Sequence, residues 1–436
     1  MEVINRIFGL VLDIKLDFTS IYGFYQSKIV SPIVSPILPD AWGNLDWLAY
    51  FLAGVTISFV VINALVVSAA LYTWFERRTL GRFQSRLGPN RWGPFGLFQP
   101  IADGIKLLTK EDTVPDTADR PIFHLAPLVL MVPGFLVFAV IPFGDDSFLG
   151  RLNVGVLFIL AVTGVNTFGI FMGGWASRNK YAMFGAMRAV AMLISYEIPM
   201  ALSLVGVVIL TNSMFVPDLL DGKETVSALS LSGIVEAQDV IFFLVQPLGF
   251  LVFITAASAE MSRAPFDMIE AESELGAGYH TEYSGVKFSM FQLAEFLAPI
   301  AVATVATVVF LGGTRGFSPI PGQIWFLVKV LGLVFFLLWI RATWPRLRVD
   351  QIMGFAWKGL FPLAIVNMFL IAVEVHILQD SNTGQITSNA LWLMAAINWI
   401  VTVVSIVLIA NLLGQRKLRR PIPVPSPLAN MNAEAD

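Results

Sequence analysis

The residues of this sequence most able to do chemistry are carboxylates placed where water should be scarce. Glu197, in Ser195-Tyr196-Glu197-Ile198-Pro199, stands inside the apolar stretch 189–211, with Arg188 just before it and Pro199 just beyond, where freed carbonyls would suit a hydrated break. Glu295 (288–311), Lys329 (324–340) and Glu374 (359–378) are the lone Asp, Glu, Lys or Arg of three further stretches. A carboxylate at the centre of a membrane helix costs about 2.5–3.5 kcal/mol, so each is read first as functional. Glu374 lies near a helix end, where snorkelling or a structural role competes with that reading.

A second group is the segment 260–287, which carries Glu260, Asp267, Glu270, Glu272, Glu274 and Glu282 against only Arg263 and Lys287. Crowded carboxylates repel, and a buried one loses hydration, so some should hold protons near neutral pH. A solvated acidic loop is the plainer alternative. The interleaved Pro265, Phe266, Met268, Ile269 and Leu275 argue instead for a packed cavity. The third group is basic: Arg78, Arg82 and Arg86 recur every four residues and would form one stripe on a helix ended by Gly88-Pro89-Asn90. Such a stripe fits an anchor among lipid headgroups, or planar contacts to carboxylates.

These groups must be positioned by membrane helices. The 436 residues are 56% apolar and only 14% charged, about half the charge of an ordinary soluble domain. Uncharged runs at 47–75, 121–144, 152–177, 240–259 and 381–415, with the four stretches that hold one charge, predict an all-α polytopic protein of nine transmembrane helices. Segments 76–120, 178–188, 260–287, 341–358 and the tail after 414 hold 8, 3, 2, 4 and 4 Lys and Arg, 21 in all, against 3 in the opposite loops. That asymmetry puts the first set in the cytoplasm. Residues 1–46 read as an interfacial segment with an amphipathic surface helix around Ile4, Ile7, Phe8, Val11 and Leu12. Residues 47–413 then form one transmembrane domain with cytoplasmic loops at 76–120 and 260–287, and 414–436 a cytoplasmic tail.

A net charge of −3 excludes a nucleic-acid binder working by bulk charge. With no cysteine, the chain offers no disulfide, iron–sulfur ligand or c-type haem attachment. His124 and His376 fall at opposite depths and His280 in the acidic loop, so no metal or haem site is expected. No removable signal peptide is recognisable.

With these residues in hand, the chain resembles the H-type membrane subunits of respiratory complex I, the proton-pumping NADH:quinone oxidoreductase. The likeness runs from about Glu76 to Leu363 through ERRTLGRFQSRLGPN (76–90), QPIADGIKLLTKED (99–112), RAVAMLISYEIP (188–199), AEMSRAPFDMIEAESELGAGYHTEYSG (259–285), RATWPRLRVDQIM (341–353) and WKGLFPL (357–363). The resemblance implies a prokaryotic inner-membrane subunit that joins the hydrophilic arm to the other membrane subunits, contacts lipid and walls a quinone cavity. Quinone is then the substrate, and no Fe–S cluster, flavin or haem belongs to this chain. By motif, Arg82, Arg86, Asp103 and Lys106 fall to the quinone cavity. Glu197, Glu260, Glu270, Glu272, Glu274, Glu282 and Glu295 fall to the proton path, with Arg188, Arg263, Lys329, Arg341, Arg346 and Arg348 as counter-charges. Two alternatives are a membrane subunit of a related energy-converting hydrogenase and a stand-alone ion transporter. The absence of an internal repeat weighs against the second.

Overall fold

A computed structural model describes residues 22–23, 46–144, 152–214, 229–268, 276–317, 320–379 and 386–414. The surface helix expected near the N-terminus and the acids Glu270, Glu272 and Glu274 lie outside the described residues. Among those described, the chain is helical, and its apolar runs are long enough to explain why: each satisfies its own backbone where water is absent.

The order is α1 (Asp46–Phe83), α2 (Gln99–Thr109), α3 (Arg120–Leu136), α4 (Gly155–Ala176), α5 (Lys180–Met214), α6 (Leu231–Ala237), α7 (Phe242–Val245), α8 (Pro247–Glu260), α9 (Gly285–Phe310), α10 (Gly322–Thr343), α11 (Val349–Phe355), α12 (Phe361–Leu378) and α13 (Ser388–Gly414). A π-helical turn, Ala356–Leu360, joins α11 to α12. Eight of the described helices, α11 and α12 counted as one, are long and apolar enough to cross a membrane. The ninth expected span, 240–259, is instead broken. Gln246 leaves the helical region at φ −132° and ψ 69°, and Pro247, which has no N–H to give, starts the shorter helix α8.

The arginine stripe is corrected in the same way. α1 ends at Phe83, before the Gly-Pro-Asn turn, because Ser85 takes a left-handed φ of 54° and the Arg86 amide folds back onto the Gly81 carbonyl at 2.9 Å. Arg78 and Arg82 stay on the helix, and Arg86 stands beyond its end.

The largest core cluster gathers buried residues from α1 and from α4 to α13, with Phe242, Phe310 and Tyr196 among its fully enclosed side chains. Tyr196 also donates to the Ile352 carbonyl at 2.9 Å, tying α5 to α11 beside Glu197. Wide apolar faces stay exposed, for example Phe51, Phe59 and Leu71 on α1 and Ile400, Val403 and Val407 on α13. In a soluble protein these faces would be costly; in a bilayer they are the solvated side.

Candidate functional site

Three of the interior carboxylates converge. A cavity of about 130 Å³ is bounded by α3, α4, α5, α8 and α9, and Glu197, Glu260 and Glu295 all line it. Its remaining wall is mostly apolar, with Thr163, Asn166, Thr167, Ser262 and Tyr279 as polar exceptions. Glu197 and Glu260 are near enough to repel one another. Gly164 makes room for the first: a Cβ there would stand 3.0 Å from Glu197 Oε1.

A chain of charge leads away from this cavity. Arg263 forms an ion pair with Glu295 at 2.9 Å and donates to Glu76 at 3.3 Å, and its guanidinium lies over the Phe296 ring at 5.2 Å. Glu76 also pairs with Arg341. The run Glu295, Arg263, Glu76, Arg341 thus alternates in sign between α9, the loop after α8, α1 and α10. Tyr72, one turn before Glu76, is buried beside it. Glu76 is the residue that sequence reasoning missed. Its signal was present, since it is the first acid after a long uncharged run, but the arginines that follow drew the reading to themselves.

The other expected site residues are dispersed. Asp103 and Lys106 sit on α2, where Asp103 accepts from Arg77 at 2.6 Å, from Gln99 at 3.3 Å and from Lys106 at 3.5 Å. Partial burial pushes the Asp103 carboxyl up, but the Arg77 bond and charge, with Lys106 and Gln99, outweigh it and hold the group below the usual carboxylate range. Arg82 and Arg86 are exposed, Arg86 donating to Gln84 at 2.7 Å. Arg78, which the motif did not single out for this cavity, donates to the Phe95 carbonyl at 2.7 Å and lies over the Trp74 and Phe95 rings. Glu282 accepts from Asn179 at 2.7 Å. Lys329 meets carbonyls: its ammonium donates to Leu311, Gly313 and Arg315, closing the C-terminal end of α9. Arg188 and Asp267 are half-buried, and Arg346 and Arg348 are exposed. Glu374 does not snorkel. It is buried, and accepts from Asn398 Nδ2 at 2.8 Å.

Both ends of the acidic loop are packed. Phe266 and Met268 on one side and Tyr279, His280 and Tyr283 on the other are buried, and Tyr283 stacks on Phe123 at 4.0 Å. Lys287 pairs with Asp112 at 2.8 Å, and Ser284 donates to the Glu111 carbonyl at 2.7 Å. Gly285, at φ 57°, lies against the backbone of the α2 end, where a Cβ would come within 3.1 Å of the Lys110 carbonyl oxygen. Burial drives the His280 imidazole down to about 4, so it is neutral at physiological pH.

The family model described as NADH dehydrogenase matches residues 56–372, which hold the cavity and the whole charge chain. The chain belongs to this family. It is 52% identical over 326 residues to the H-type subunit of NADH-quinone oxidoreductase from Dehalococcoides mccartyi, covering 74% of this chain and 88% of that protein. With the same subunit of Geobacillus kaustophilus it shares 46% over 339 residues, 76% of this chain and 95% of the relative. With that of Bacillus cereus it shares 44% over 342 residues, 77% and 96% respectively. No group of three or more metal-binding side chains occurs among the described residues.

Proposed function

We propose that the cavity lined by Glu197, Glu260 and Glu295, with the chain through Arg263, Glu76 and Arg341, couples quinone reduction to proton movement. The protein is a membrane subunit of NADH-quinone oxidoreductase, an H⁺-translocating enzyme. The observation that carries the reading is the meeting of three carboxylates from three helices in one mainly apolar cavity. A charge change at the loop end of the chain acts on Arg263, and Arg263 is shared between Glu76 and Glu295. A shift of that guanidinium toward Glu76 frees Glu295 to take a proton, and the reverse shift expels it.

Quinone itself is assigned to the α1–α2 side. There Arg77, Asp103 and Lys106, with Arg82 and Arg86 beyond them, border exposed apolar residues including Leu87, Phe98 and Ile101. An apolar entry rimmed by planar donors suits a lipid-borne quinone head. The electron centre lies with hydrophilic partner subunits, and the setting is the prokaryotic inner membrane with its lipids. The hydrogenase reading lacks an observation of its own here.

Arg86→Ala tests the quinone side. In the assembled complex it should lower quinone reductase activity while leaving electron transfer from NADH to a soluble acceptor intact. Equal loss of both would make Arg86 an assembly residue and remove the quinone assignment.

A further inference from the structure

A second polar group lies deep in the bundle, apart from the acid-lined cavity, at the break between α7 and α8. Gln246 is fully buried, and both its amide oxygen and its amide nitrogen lack a protein partner. Asn367 of α12 is equally enclosed, with Nδ2 unpartnered. The two amides meet beside a pair of glycines. A Cβ on Gly206 would stand 3.1 Å from Gln246 Oε1 and 3.2 Å from Asn367 Nδ2, and one on Gly249 would stand 3.2 and 3.0 Å from the same atoms. Glycine on both α5 and α8 therefore leaves space next to polar groups that have not used their hydrogen bonds.

Two turns along α12, on the same buried face, Glu374 keeps Oε1 unpartnered while Oε2 accepts from Asn398. Ile371 between them is also fully buried, which fixes the shared face. No cation meets Glu374 among the described residues of the helices packed on α12. α13 carries no charge over Ser388–Gly414, α7 carries none, and α8 carries only Glu260 at its far end. α5 offers Lys180, Arg188 and Glu197, all of them before Gly206, and His376 on α12 itself is exposed.

We propose that Gln246, Asn367 and Glu374 form a second intramembrane site, one that binds water and carries a proton between the acid-lined cavity and the outer end of α12. The ligand class follows from the open groups. A cation wants acceptors alone, whereas this site presents donor and acceptor together whichever way the Gln246 amide is turned, which is what a bridging water needs. A buried carboxyl facing no cation is neutralised by a proton. The spacing requires bridging waters, since Asn367 and Glu374 are about 10 Å apart along the helix and Gly206 is about 13 Å from Glu197. In the step itself an O–H bond forms at the Glu374 carboxylate as one breaks on a protonated water, and release outward reverses it. No electron moves.

The inference rests on the coupling reading above, so its test keeps the two apart. Glu374→Gln, which preserves shape and the Asn398 contact, is compared with Glu197→Gln in the purified complex in vesicles. Two readouts are taken: protons moved per NADH oxidised, and the infrared band of protonated carboxyl groups with its shift in D₂O. The expected result is that Glu374→Gln assembles normally, loses one exchangeable carboxyl band and moves several-fold fewer protons. Gly206→Ala, which fills the space beside the amides, should lower proton movement in the same direction. Full proton movement in both Glu374→Gln and Gly206→Ala, or an unchanged carboxyl band, overturns the second site even if Glu197→Gln is impaired. Proton movement that requires added sodium, and loses that requirement in Glu374→Gln, also overturns it in favour of a cation site. If Glu197→Gln is itself unimpaired, the coupling reading fails first.

Discussion

Two arginine–carboxylate pairings in this protein use the same chemistry and do different work. Arg77 and Asp103 make the shorter contact, 2.6 Å, but the arginine side chain is 51% exposed. Arg263 and Glu76 are 3.3 Å apart, yet their side chains are only 11% and 5% exposed, and Arg263 also holds Glu295. An exposed pair gains about 0–1 kcal/mol because water competes for both charges. A buried pair is not a strong stabiliser either, but breaking one side leaves the other charge stranded. The consequence is that the inner chain is sensitive to any single change in charge, which suits the proposed relay, while the α1–α2 contact can be remade cheaply, which suits the proposed quinone entry. Distance alone would have ranked them the other way.

The largest expected effect follows from the stranded charge. Arg263→Ala leaves Glu295 without that partner and Glu76 with Arg341 alone, and should cost about 3–5 kcal/mol, seen as loss of assembled complex on native gels and a lowered melting temperature. Arg263→Lys should recover part of both. Equal stability of Arg263→Ala and the parent would erase the contrast between the two regions.

A smaller effect should appear at the packed end of the acidic loop. His280 is neutral when folded down to about pH 4, whereas in the unfolded chain it gains a proton below about 6.5. The unfolded state therefore binds more protons between those values, and stability falls as pH drops from about 6.5 to 4, by up to about 3 kcal/mol. Thermal inactivation of the complex against pH should show this slope, and His280→Phe should flatten it. The smallest effect is expected at the exposed pair. Arg77→Ala should change stability by less than about 1 kcal/mol, and the melting temperature of the complex would show a larger loss if the pair were structural.

Which of these groups the sequence could expose depends on whether contrast with the surroundings marks them. Glu197 and Glu295 stand out as single charges in apolar runs, and Glu260 opens the acidic loop; all three reach the cavity. The resemblance, not local contrast, gives Arg263 and Arg341 as counter-charges; both pair with Glu76, which the arginines beside it hide in the sequence. Lys329 stands out as a lone charge in an apolar run, but spacing does not show that α9 ends in carbonyls that accept from it. The break at Gln246 was invisible in hydropathy, since a glutamine and a proline hardly interrupt an apolar run. Burial of Glu374 needed α13 and its Asn398, a contact no local pattern encodes. Local composition thus showed the helices and the isolated charges, and long-range packing decided their partners.

The central claim is that the acids of the cavity move protons and do not merely fill it. Its most direct test is proton translocation per NADH oxidised in vesicles for Glu197→Gln and Glu260→Gln, each beside an assembly check and an assay of electron transfer to a soluble acceptor. Both variants keep shape and lose titration. Normal assembly and soluble-acceptor activity are expected, with proton translocation and quinone reduction lowered at least about tenfold. Parental proton translocation in both variants would contradict the account and make these carboxylates structural.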